Sequence, residues 1–239
     1  MRFLEFLKRG FLVRQCVICL DPIDYDRKLA ICDDCHKYWI STLDLLCDKC
    51  GYESEYCICT NKRMMRSVDF AAFCIFYKKD SDNPVKQIVY RLKKEYIGEV
   101  FELCAELMSQ RAKKELYKRN LKASDFCVTY PTRRKRSTAR YGYDHSREIA
   151  KLFAKKLGIP LVPCFKNSGK KEQKKLDREE RLANARESYS LLESADIKDK
   201  NFIIIDDVIT TGSTLNACAT LLKKGGAKCV AAICFAKDL

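Results

Sequence analysis

The stretch Phe202-Ile203-Ile204-Ile205-Asp206-Asp207-Val208-Ile209-Thr210-Thr211-Gly212-Ser213-Thr214 has the residue types of an anion-binding turn. Its continuous apolar run reads as a strand buried on both faces of a parallel sheet. Two adjacent carboxylates follow, a pair that can hold vicinal hydroxyls and Mg2+. They are expected at the carboxyl edge of the sheet, facing ligand or solvent. The Thr/Gly/Ser loop then opens a helix whose free N–H groups and hydroxyls attract phosphate, and Gly212 lets it come close. No G-x-x-x-x-G-K-[ST] occurs, so this is not a P-loop.

A second chemistry lies at the other end. Eight of the 15 cysteines fall in the first 60 residues. Cys16-x2-Cys19 and Cys32-x2-Cys35 form two knuckles, and two knuckles complete a tetrahedral four-sulfur zinc site with no open coordination position. Cys47-x2-Cys50 with Cys57-x-Cys59 supplies a second set, its last pair one residue tighter. Pairing across the sets, such as first knuckle with third, stays open, and one or two structural Zn2+ are expected. The remaining cysteines (74, 104, 127, 164, 218, 229 and 234) sit in apolar company, the setting of small buried hydrophobes.

The elements that position these groups follow from pattern. Residues 60–80 read as one or two strands, and 84–120 as helix interrupted at Tyr96-Ile97-Gly98. Phe126 to Tyr130 is a short strand that Pro131 ends; His145 to Leu157 is a helix closed by Gly158. Residues 177–194 read as helix, Ser213 to Lys224 as a helix stopped by Gly225-Gly226, and Cys229 to Phe235 as a buried strand. Strands alternating with helices predict a doubly wound α/β domain over 63–239, behind a small cysteine-knuckle domain over 1–62.

Charge divides the 239 residues unevenly. The formal net charge is +14, yet residues 1–60 hold 8 basic and 10 acidic side chains. Residues 111–140 hold 11 basic and 2 acidic ones, and 166–186 hold 8 and 4. Such clustering raises the local concentration of polyanions, though a solvated basic face would give the same count. No apolar run approaches the ~18 residues of a membrane span. Glu5, Lys8 and Arg9 break the pattern of a secretory signal, which predicts a cytoplasmic protein.

The run D-D-x-x-T-T-G-x-T resembles the phosphoribosyl pyrophosphate (PRPP) signature of type I phosphoribosyltransferases. The order of the other motifs resembles the ComF (ComFC-like) family: N-terminal cysteine knuckles, then a leucine-lysine stretch matched by Arg91-Leu92-Lys93. A proline-basic segment follows from Pro131 to His145, then Gln173, Leu176, Arg181 and Asn184 at the family's spacing. Asp144 and His145 stand where that family tends to have Asn-Gln, and Tyr141 where it tends to have Arg.

The resemblance implies a phosphoribosyltransferase-like parallel sheet with helices on both faces. It implies that Asp206 and Asp207 contact the ribose hydroxyls and Mg2+, and that Thr210, Thr211, Gly212, Ser213 and Thr214 cradle the 5′-phosphate. Pro131, Thr132, Arg133 and Arg134 would bind pyrophosphate. Residues 166–181 would form a mobile loop over the site, with Lys170, Lys171, Lys174 and Arg178 neutralising the departing pyrophosphate. Thr210 stands where purine-base members usually carry Asp, which disfavours purine salvage.

The family is associated with natural transformation. The resemblance therefore implies a cytoplasmic competence factor at the inner face of the inner membrane, working with single-stranded DNA and other DNA-uptake proteins. Arg133, Arg134, Lys135, Arg136 and Arg140 would track the DNA backbone. Tyr130, Tyr141 and Tyr143 would stack on bases or, equally, pack on the next helix. The alternatives are an active phosphoribosyltransferase on a small acceptor and a zinc-anchored adaptor with a vestigial pocket.

Overall fold

The computed structural model describes residues 14–27, 30–43, 45–48, 50–57, 59, 66–77, 84–168 and 188–238. Of residues 42, 43, 135 and 137 only the backbone is described.

The apolar run ending in the two carboxylates is the strand β7 (Asn201–Ile209), next to the centre of a four-stranded parallel sheet. Its neighbours are β8 (Cys229–Asp238) and β4 (Phe126–Thr129), and β3 (Phe70–Tyr77) lies outside β8, giving the order β3-β8-β7-β4. Register is fixed by pairs such as Val128↔Ile203 and Ile204↔Ala232. The period-2 alternation of strand side chains sends Ile203 and Ile205 into one core and Phe202 and Ile204 into another.

Helices fill both faces. On the first lie α2 (Pro84–Lys94), α3 (Gly98–Lys118) and α5 (His145–Leu157), through Ile88, Leu92, Cys104, Met108 and Phe153. On the second lies α6 (Ser213–Lys224), through Leu215, Cys218 and Leu222. The break between α2 and α3 falls at residues 95–97, at the interruption read from the sequence. Scattered cysteines such as Cys104, Cys164, Cys218 and Cys234 are buried, as their apolar company predicts.

The cysteine-rich segment folds as a two-residue hairpin, β1 (Arg14–Gln15) and β2 (Pro22–Ile23), and the helix α1 (Asp33–Leu43). It does not float free of the sheet. Cys16, Val17, Ile18, Ile31 and Trp39 join the first core, where Trp39 stacks on Phe235 of β8 with ring centroids 6.2 Å apart. The buried Arg91 of α2 donates to the carbonyl of Ile18 at 3.0 Å. Cys47 and Cys57 join the second core, and Arg111 of α3 donates to the Glu55 carbonyl at 2.9 Å.

One local expectation changes. Residues 177–187 lie outside the described set, and β6 (Tyr189–Leu191) pairs antiparallel with β5 (Phe165–Asn167) where a helix was expected. The alternation of buried Tyr189 with part-exposed Ser190 suits a strand, and the short segment could not show it by period alone. The basic run after Pro131 forms a short helix, α4 (Lys135–Tyr141). Residues 66–77 contain one strand, and 60–65 are outside the described residues.

Candidate functional site

Parallel pairing of Thr129, the last residue of β4, with Ile204 in the middle of β7 sets the chain that leaves β4 beside the second half of β7. The turn Pro131–Arg134 therefore leaves the sheet next to Asp206 and Asp207. At the end of β7, Gly212 has φ 71° as the residue that caps α6, a left-handed conformation strained for any side chain. Thr211 and Ser213 hydroxyls lie 2.6 Å apart, so the loop gathers two hydroxyls at the N-terminus of α6, where helix N–H groups attract anions.

The three residues that open α5 knit these parts together. Asp144 caps the helix, accepting from Ser146 N at 3.1 Å and Arg147 N at 3.4 Å through one oxygen. Its other oxygen accepts from Arg133 N at 2.7 Å and so fixes the turn. Ser146 Oγ donates to Asp206 Oδ1 at 3.3 Å. His145 Nε2 stands 3.3 Å from Asp207 Oδ2. The turn is further held by Thr132, whose hydroxyl donates to the Phe165 carbonyl at 2.7 Å, and by Asn167, which donates to the Thr132 carbonyl at 3.2 Å.

The two carboxylates are not equivalent. Asp207 is buried and pairs with Lys93 Nζ of α2 at 2.8 Å. Burial pushes its pKa up, but Lys93 and His145 outweigh burial and hold it well below the usual carboxylate range. Asp206 is pushed well above that range, first by burial and then by the charge of Asp207. Burial lowers His145, with Asp207 opposing. Alternation along a strand explains the split: neighbours in β7 must point to opposite faces, and only one meets α2. Lys93, His145 and Ser146 were given no role from sequence; only their company in the fold reveals one.

The arginines divide as well. Arg133 Nη1 is buried with no hydrogen-bond partner among the described residues, and its charge reaches His145. Arg134 stands at the N-cap position of α4 without a side-chain capping hydrogen bond and is half-buried, whereas Arg136 and Arg140 are exposed on α4; the side chain of Lys135 is not described. Tyr141 is ringed by cations, with Lys94, Arg140 and Arg133 at 5.0, 5.5 and 5.7 Å from its centroid. Tyr130 is buried and Tyr143 packs edge-on against Phe101, donating to the Leu92 carbonyl at 3.1 Å. Those two tyrosines are packing residues, not stacking platforms. Lys170, Lys171, Lys174 and Arg178, with Gln173, Leu176, Arg181 and Asn184, lie outside the described residues.

The cysteines sort into two clusters in chain order. Cys16, Cys19, Cys32 and Cys35 form one and Cys47, Cys50, Cys57 and Cys59 the other, each with all sulfurs within 4.8 Å. Zn–S bonds of ~2.3 Å place tetrahedral sulfurs about 3.8 Å apart. Cys19 and Cys32 are 3.7 Å apart, and Cys50 and Cys57 are 3.8 Å apart. In the first cluster burial raises Cys16, but backbone N–H groups of Cys19, Cys32 and Ile18 win and lower it to about 7. Cys19 and Cys59 are pushed up to about 12, by burial first. Four sulfurs this close ionise together only around a cation, and both clusters fit Zn2+.

Residues 144–239 match the family model described as "Phosphoribosyl transferase domain". Over 82 residues the chain is 35% identical to an adenine phosphoribosyltransferase of Treponema denticola, covering 34% of this chain and 43% of that one. Over 84 residues it is 32% identical to a ribose-phosphate pyrophosphokinase of Porphyromonas gingivalis, covering 35% and 22%. The chain thus spans less than half the length of either relative. A purine phosphoribosyltransferase structure from Pyrococcus horikoshii superposes with TM-score 0.36 and 21% identity over 56% of this chain and 73% of that one. The matched segment begins at Asp144, the cap that ties turn to carboxylates, and runs through the Asp206–Thr214 loop. Residues 144–239 thus match a phosphoribosyl transferase domain, in a chain whose parallel α/β sheet is joined to two N-terminal cysteine clusters.

Proposed function

We propose that the chain is a competence factor that holds Mg2+-PRPP in a pocket between the Pro131–Arg134 turn and the Thr210–Thr214 loop, and binds single-stranded DNA beside it. In this reading Asp206 and Asp207 hold ribose hydroxyls and Mg2+, the 210–214 loop cradles the 5′-phosphate, and Thr132, Arg133 and Arg134 take the pyrophosphate. The carrying observation is the buried Arg133 Nη1, without a hydrogen-bond partner among the described residues, on the turn that Asp144 holds. A buried guanidinium nitrogen without a partner is costly, and a pyrophosphate oxygen would satisfy it. Mg2+ would neutralise the pyrophosphate charge and relieve the raised pKa of Asp206. Arg136, Arg140 and the cation-ringed Tyr141 give the DNA a surface with charge and no base-reading motif.

The family resemblance supports a cytoplasmic place at the inner face of the inner membrane, in company with other uptake proteins. Among the described residues no helix is long and apolar enough to cross a membrane. We propose the division at residue 62 as a functional one, with both zincs structural. A second reading, an active phosphoribosyltransferase on a small acceptor, is favoured by the intact loop from Asp206 to Thr214. Pyrophosphate release from Mg2+-PRPP, measured with and without single-stranded DNA, tests the two together. Binding without release supports the first, and release without DNA the second. Neither binding nor release overturns both.

A further inference from the structure

Lys237 of β8 is only 8% exposed. A buried ammonium is costly unless its charge and protons are matched. Its Nζ turns to sulfur, donating to Cys57 Sγ at 3.3 Å and to Cys47 Sγ at 3.6 Å. The rings of Phe76 and Phe73 stand beneath it, with centroids 5.2 and 5.4 Å away, so their negative faces complete the surroundings. Both sulfurs belong to the second cluster, and both cysteines are buried.

A zinc held by four thiolates keeps two surplus negative charges, which water would screen at an open site. Here Cys47 and Cys57 are 3% and 6% exposed, so screening must come from the protein. We propose that Lys237 is the charge-compensating and positioning residue of the second zinc site. Its ammonium orients Cys47 and Cys57 by two N–H···S hydrogen bonds and cancels one of the two surplus charges. The site is then built jointly by the N-terminal segment and the sheet. Lys237 pairs in register with Phe76 of β3 and Ile209 of β7, and Ile209 directly precedes the Thr210–Thr214 loop. The second metal is therefore anchored to the same sheet edge as that loop. The inference rests on the reading that the second cluster holds zinc.

The test uses the full chain, with zinc counted by elemental analysis and its release followed with the chromogenic chelator pyridylazoresorcinol. Cys19→Ser, which removes a ligand of the first cluster, assigns the two release phases. Lys237→Met keeps the apolar stem over Phe73 and Phe76 but removes charge and donors. The second-site zinc should then leave at least about tenfold faster, as for lost partners of metal ligands, or be missing after purification. Lys237→Arg should restore retention. Wild-type release from Lys237→Met overturns the proposal. Zinc content unchanged by Cys57→Ser would show that the second cluster holds no zinc, which removes the underlying reading. Should Lys237→Met fail to fold, Lys237→Arg loaded with Co2+ reads the same contact. A shifted sulfur-to-cobalt charge-transfer band supports it, and an unshifted band contradicts it.

Discussion

Lys93 of α2 and Asp207 of β7 form an ion pair of 2.8 Å, and Asp207 is the carboxylate that points away from its neighbour Asp206 into that pairing. Asp207→Asn would leave Lys93 and His145 without their anion. It should cost about 2 kcal/mol, below the ~3–5 kcal/mol of a fully buried pair because Lys93 is 32% exposed. Chemical denaturation without ligand measures it.

Asp206→Asn should act in the opposite sense. The folded-state pKa of Asp206 lies above its unfolded value, so its contribution is fully present at low pH and is lost as pH rises toward the folded pKa. The substitution removes that loss: melting temperature should rise near pH 8 and stay unchanged near pH 4. Asp207, with a depressed pKa, contributes above the unfolded value and loses that contribution on acidification. Equal destabilisation by both substitutions at neutral pH would contradict the division of roles.

Asp144→Ala removes a helix cap and the acceptor of Arg133 N together. It should lower stability by about 0.5–2 kcal/mol, the range of a lost cap. PRPP affinity should fall further than Thr132→Val lowers it, because the turn then loses its tie to α5. Calorimetry on the two variants compares them.

Much of this was legible in the sequence because each signal was local. The Phe202–Ile205 run, the Gly212 turn, the break before Gly98 and the helix from His145 to Leu157 each rest on neighbours in the chain. So did the knuckles, although their pairing was not: only the folded sulfur distances show first with second and third with Cys57 and Cys59. What could not be read depends on contacts between distant residues. Lys93 meets Asp207 because α2 packs across the sheet, and Lys237 meets Cys57 because β8 ends beside the cysteine segment. Tyr143 carries two equal readings in the sequence, stacking or packing, and only α3, through Phe101, supplies its packing partner.

The metal sites give a further prediction. Purified protein should carry two zincs, and Cys16→Ser should leave one while loosening Val17 and Ile18 from the first core. Zinc binding contributes ~10 kcal/mol or more to such modules, so the hairpin and α1 should lose protection from hydrogen exchange. A zinc-free protein prepared without chelator would contradict both assignments.

On α4, replacing Arg136 and Arg140 by Gln should weaken binding to single-stranded DNA and leave PRPP binding alone. Each lost phosphate contact lowers the log–log salt slope by about 0.7, so the pair should remove about 1.4. Fluorescence anisotropy across a salt series measures it. An unchanged slope would place the DNA surface elsewhere.

In the proposed PRPP pocket the carboxylate pair and the Pro131–Arg134 turn act as one site, with the buried Nη1 of Arg133, unpartnered among the described residues, as the donor awaiting pyrophosphate. Titration calorimetry of Mg2+-PRPP into wild type and Arg133→Met tests it most directly. Wild type should bind in a Mg2+-dependent way, and the variant should lose at least about tenfold in affinity, equivalent to ~1.4 kcal/mol. Equal affinity of the two proteins, or no binding by the zinc-replete wild type, would contradict it.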